Sequence, residues 1–111
     1  GEPDVVGTFS VNRDENITVV ANRGHIGDKE AFARELLQMY KDDSFYSTKF
    51  STDRGYATSL DMNIYLWKED IEDGESVMTA EYRPVEYGKD YDVVNNPDKF
   101  QLYIDGKEAE E

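Results

Sequence analysis

Asp61, Asn63, Tyr65 and Trp67 fall at every second position of one stretch, so in an extended chain they share one face. Flat rings beside a carboxylate and an amide suit recognition of a sugar or a peptide. The ring supplies contact area, and the polar groups fix orientation. Tyr103, Gln101 and Glu81, on other extended stretches, are expected to join that face. A second group, Tyr87, Gly88, Tyr91 and Asp92, lies in a long irregular segment at 85–98 and would form the rim of a ligand site. The competing account of both groups is packing. Aromatic residues suit strands in any case, a second subunit or a further domain would cover the rings, and Val93, Val94 or Tyr91 would hold the segment down.

Other chemistry is less well served. Glu69, Asp70, Glu72, Asp73 and Glu75 surround Gly74, and hard carboxylate oxygens suit Ca²⁺. Their spacing departs from the D-x-[DN]-x-[DN]-G loop with its distal glutamate, so a charged turn is expected there, with no metal. His25, the single histidine, stands between glycines just before a helix start, where backbone N–H groups can hold an anion; Asp28 would already occupy that end. Nucleophilic catalysis would need His25 to meet Ser44 or Ser47, with an orienting acid such as Asp28. No G-x-S-x-G motif is present. Carboxylate pairs serve glycoside hydrolysis, yet 25 acidic residues single out no pair. No catalytic residue and no cofactor is assigned, and a small hydrolase ranks third among the readings.

The whole chain bounds these choices. Its 111 residues suit a single domain over 1–111, with a polar stub at 1–4 and an acidic tail expected to fray at 107–111. A formal charge of −13 opposes nucleic acid and anionic membrane, both polyanions, and draws in cations or a basic partner. There are no cysteines, which excludes disulfides, thiolate metal sites and cysteine nucleophiles. No apolar run approaches the ~20 residues of a membrane span, so no membrane insertion is expected. The start at Gly1-Glu2-Pro3-Asp4 has the look of a stub left by a removed leader or a tag. With the acidic, Tyr/Asp-rich composition it suggests a secreted or surface-tethered bacterial domain, lipoprotein-like, in the extracellular space or cell envelope.

The elements that must position the rings follow from periodicity. Residues 28–41 carry the one strong helical pattern: Phe32, Ala33, Leu36, Leu37 and Tyr40 share a face, with Glu30, Arg34, Gln38 and Lys41 opposite. Asp28 is the expected N-cap. Upstream, Val5, Gly7, Phe9 and Val11 alternate, 12–16 is turn chemistry, and Ile17, Val19 and Ala21 alternate again, which predicts a hairpin. Downstream, strands are predicted at 45–52, at 60–67 (with Leu60, Met62, Ile64 and Leu66 inward), at 76–83 and at 100–104. A glycine bulge at Gly55 would pair Phe50 with Thr58 and Thr48 with Leu60. Segment 68–75 is an acidic loop with Ile71 tucked beneath it.

The expected fold class is α+β: a single helix packed on an antiparallel sheet of five or six strands, in the order ββαβββ(β). In layout alone this is similar to cystatin-like folds. The functional expectation is non-enzymatic binding of a protein or carbohydrate partner through the outer sheet face, by a monomer or a homodimer. The alternative is a structural or assembly module that uses that face as a homo-oligomer interface.

Overall fold

The sequence pattern that matters most for the site is an interruption. Val5 and Val6 are followed by Gly7, and there the alternation of the first strand breaks. The computed structural model, which describes residues 2–50, 56–86 and 91–109, forms β1 over Asp4–Val11 and β2 over Asp14–Val20. Val5 lies opposite Val19, but Gly7 lies opposite Thr18, so Val6 is an extra residue in β1. A bulge of one residue turns every later side chain to the other face. Val5 therefore points into the core while Gly7, Phe9 and Val11 point out of it. The shared face expected for these four residues is split at this bulge.

The turn between β1 and β2 is also tighter than 12–16. Val11 pairs with Asp14, and Asn12 takes φ 59°, a conformation asparagine tolerates. Asp14, Glu15 and Asn16 belong to β2 instead of the turn.

Helix α1 spans Lys29–Asp42, shifted one residue toward the C-terminus from the predicted 28–41. Asp28 caps it, its carboxylate accepting the Ala31 N–H at 2.9 Å. At the other end Asp43 adopts φ 52° and donates its N–H to Tyr40, while Ser44 donates to the Met39 carbonyl. The five residues buried on α1 are Phe32, Ala33, Leu36, Leu37 and Tyr40, the face read from periodicity. Replacing Asp28 by alanine should leave the Ala31 N–H without its partner and cost about 1 kcal/mol, read as a lower denaturation midpoint at unchanged slope.

After α1 the chain runs back along β3 (Ser59–Tyr65), then α2 (Glu69–Asp73), β4 (Met78–Pro84), a 3₁₀ turn (Pro97–Lys99), β5 (Phe100–Ile104) and β6 (Lys107–Glu108). The six strands form one sheet in sequence order. Four of the five pairings are antiparallel, as expected, but β2 and β3 are parallel, so the sheet is mixed. The reason is connectivity: a helix lies between β2 and β3, and a crossover of that length returns the chain in the same direction.

Three further expectations change. Residues 45–50 form no strand; Leu60 pairs with Glu15 and Tyr82, so the register expected with Thr48 is absent. The segment instead packs across the start of β1, with the Ser47 N–H and the Thr48 hydroxyl donating to the Asp4 carboxylate and the Val5 carbonyl at 3.0 and 2.9 Å. The proposed bulge at Gly55 lies outside the described residues. Lys107 and Glu108 are not a frayed tail: Asp105 and Gly106, at φ 52° and 83°, make a two-residue turn that folds them back onto β5. Within 68–75 a helical turn forms, closed by Gly74 at φ 69°, and Ile71 there is only half-buried.

The core lies between α1 and one sheet face. It gathers Val5, Ile17, Val19, Leu60, Met62, Ile64, Met78, Ala80, Tyr82, Phe100 and Leu102 from the strands, and Phe45, Ala57 and Val93 from the connections. Lys29 ties the start of α1 to the β5–β6 turn through Asp105, at 2.9 Å. That lysine, with the Thr79 N–H, outweighs partial burial and holds the Asp105 carboxyl below its ordinary value. No helix among the described residues is long and apolar enough to cross a membrane.

Candidate functional site

With α1 covering one face, the opposite face is built from the alternate residues of the same strands. Register places Phe9, Asn16, Asp61, Glu81 and Tyr103 side by side in one row across β1 to β5. The row runs ring, amide, carboxylate, carboxylate, ring. With strands about 4.8 Å apart, the two rings stand about 19 Å from each other. The next row toward the end of β3 is Gly7, Thr18, Asn63 and Thr79: one position with no side chain, then three short ones.

Low side chains beside taller ones leave a trough. Its volume is about 320 Å³, and its walls include Phe9, Asn16, Thr18, Asp61, Asn63 and Arg83. Arg83 crosses it, with its guanidinium against the Glu81 carboxylate and 4.0 Å from Asp61. The trough thus offers two amides, hydroxyls, two carboxylates and one guanidinium, beside a phenylalanine ring that is 64% exposed. Val11 is 57% exposed on the same face.

The residues singled out from the sequence divide into three sets. Asp61 and Asn63 line the trough; Tyr65, on the same strand at the same parity, and Tyr103, beside Glu81, face the same side. Trp67 is off the strand, because β3 ends at Tyr65. It sits in the turn that starts α2, where Asp70 accepts its N–H and donates back to its carbonyl. It is 44% exposed and does not line the trough. Tyr87 lies outside the described residues. Tyr91 packs against the core with Lys99 over its ring, 5.9 Å from the centroid.

The segment around Tyr91 is anchored firmly. Val93 is buried and donates its N–H to Ala57 at 3.0 Å. Asp92 accepts the N–H groups of Val94 and Asn95 and the Asn95 amide. Partial burial would raise its pKa, but these bonds outweigh it and hold the carboxyl low. This is the hold-down by Val93 weighed above; Tyr87 and Gly88, the rest of the expected rim, lie outside the described residues.

Sequence reasoning missed Phe9, Asn16, Thr18, Thr79 and Arg83. The signal for Phe9 was Gly7: an isolated glycine within an alternating run marks a bulge. Asn16 falls within 12–16, where turn-forming residue types mask its place in β2.

The hydroxyls considered for catalysis are engaged elsewhere. Ser47 Oγ donates to Asp4, and Ser44 Oγ to the Met39 carbonyl. The Asp28 carboxylate serves as the cap of α1. Among the described residues no three acidic or histidine side chains converge on one point. Comparison with known protein families, curated proteins and solved structures finds no match for this chain.

Proposed function

We propose that this chain is a non-enzymatic binding domain, acting outside the cell or in the bacterial envelope, and that it takes a carbohydrate or a peptide on the sheet face opposite α1. One observation carries the reading: the row Phe9–Asn16–Asp61–Glu81–Tyr103 sets aromatic area at both ends of a polar trough. A flat ring contributes contact area, and the groups between the rings read hydroxyls or amides by hydrogen bonds. Tyr65 lies toward one end of this face and extends it for a longer ligand.

The same exposed Phe9 and Val11 favour a second reading, a homo-oligomer joined through this face. A charge of −13 on each copy opposes it, more strongly at low salt.

The labelled domain, applied to glycan and peptide arrays, should return a ligand that binds through the trough. Its affinity is expected to fall about tenfold or more in Phe9→Ala and in Asp61→Asn, a loss of about 1.4 kcal/mol or more. Neither variant should change stability by more than about 0.5 kcal/mol, since both positions are open to solvent. A ligand indifferent to both substitutions would remove the trough from consideration. A dimer in light scattering that Phe9→Ala dissolves would favour assembly.

A further inference from the structure

The two ends of the sheet are protected very differently. At the β6 end the outermost strand has two residues, both charged, Lys107 and Glu108. Short, charged edges resist further pairing. At the β1 end the first half of the strand is plugged, because Ser47 and Thr48 bond Asp4 and the Val5 carbonyl. Among the described residues the second half has no such cover, and its sequence offers no charge either. Residues 5–12 are the longest uncharged run in a chain that is one-third charged.

The open backbone groups can be identified by parity. At the two ends of β2, the flanking Arg13 carbonyl and Ala21 N–H point toward the β3 side, where they meet Thr58 and Tyr65. Backbone direction alternates along a strand, so Asp14, Asn16 and Thr18 turn their groups toward β1. Their partners are Val11, Phe9 and Gly7. The residues between, Thr8 and Ser10, must direct N–H and C=O away from the sheet. Both are exposed. Four aligned backbone groups, flanked by the exposed side chains of Phe9 and Val11, are the template for one more strand.

Charge selects the occupant. A second copy of the chain would bring another −13. Asp14 and Glu15, one strand in from the edge, lie on opposite faces beside Val11 and Ser10, within reach of a long basic side chain on an added strand. We infer that the edge of β1 at Thr8 and Ser10 takes up an extended, Lys- or Arg-bearing segment of a partner protein as a seventh strand. This site shares the Phe9 side chain with the trough, but its backbone groups at Thr8 and Ser10 lie outside the trough lining.

The test uses the labelled full chain and the peptide Lys-Thr-Val-Thr-Val-Thr-Lys, with amide hydrogen exchange read at single residues. Exchange at Thr8 and Ser10 should slow about tenfold or more at saturating peptide. The same peptide with glutamate at both ends should bind about tenfold more weakly at low salt. Ser10→Pro should abolish the protection while keeping the fold, because proline is tolerated where the N–H faces off an edge. Thr8→Pro serves the same purpose if Ser10→Pro does not fold. No slowing with the lysine peptide, equal binding of the glutamate peptide, or protection that survives the proline variant would each overturn the inference. So would a dimer of the free chain with Thr8 and Ser10 already protected, which would make the occupant a second copy.

Discussion

Phe45→Ala should destabilise the fold by about 3–5 kcal/mol, a large share of the stability of a domain this size. Phe45 is the largest of the fully buried side chains, at 1% exposure, although it stands in a connection with no regular structure. Its ring lies edge-on to Phe50, which in turn meets Tyr40 edge-on with centroids 4.7 Å apart. The backbone around it is fixed by Asp43, which accepts the Phe50 N–H on its carboxylate and the Lys49 ammonium on its carbonyl. A connection held at both ends cannot collapse into the space an alanine leaves, so the cavity cost adds to the lost transfer energy. The neighbour Tyr46, 93% exposed, is the control: Tyr46→Ala should change stability by less than about 0.5 kcal/mol. Urea unfolding of the two variants reads the difference directly. Near-equal midpoints would mean that 45–50 does not close the core as described.

The same segment shows where sequence reasoning reaches its limit. Tyr46, Thr48 and Phe50 alternate as a strand would, but their alternation has another cause. Phe45 and Phe50 are drawn to the core while Ser47 and Thr48 bond the edge of β1, and no ladder forms. Periodicity reports which side chains prefer the inside; it does not report whether a partner strand is present. Where a partner is present the reading succeeds. Leu60, Met62 and Ile64 are buried beneath α1, and Asp61 and Asn63 face away, because β3 is flanked by strands on both sides. The five apolar residues of α1 and the cap at Asp28 were legible for a similar reason, since helical bonds are local.

The trough was half legible. Asp61, Asn63, Glu81 and Tyr103 follow from alternation within single strands. Phe9 does not, because one bulged residue at Val6 decides its face, and only Gly7 hints at it. Trp67 fails for the opposite reason. Its strand stops two residues early, once Asp70 captures the Trp67 N–H and starts a helical turn. An aspartate three residues after the bend was the available sign, the mark of a chain leaving the sheet for a local turn. The parallel pairing of β2 with β3 was available from the element order, because a helix between two strands favours a return in the same direction.

Alkaline pH should weaken the fold in a way that reports on Tyr40. Burial pushes its phenol up from 10.0 to about 12; the Glu15 charge adds to the shift, and a backbone hydrogen bond with Ala57 opposes it. Burial likewise raises the phenol of Tyr82. In the unfolded chain both phenols ionise near the ordinary value. Between about pH 10 and 12 the unfolded state therefore releases protons that the folded state retains, and stability falls as pH rises. Each unit of difference is worth about 1.4 kcal/mol. Solvent reaching the rim of the ring discounts the full shift, so Tyr40 alone should account for about 1–2 kcal/mol lost by pH 12. Tyr40→Phe removes that share. Its denaturation midpoint should decline less steeply than that of the wild type above pH 10, with the two curves parallel below pH 9. Parallel curves throughout would mean that the phenol is not sealed between α1 and the Ala57 segment.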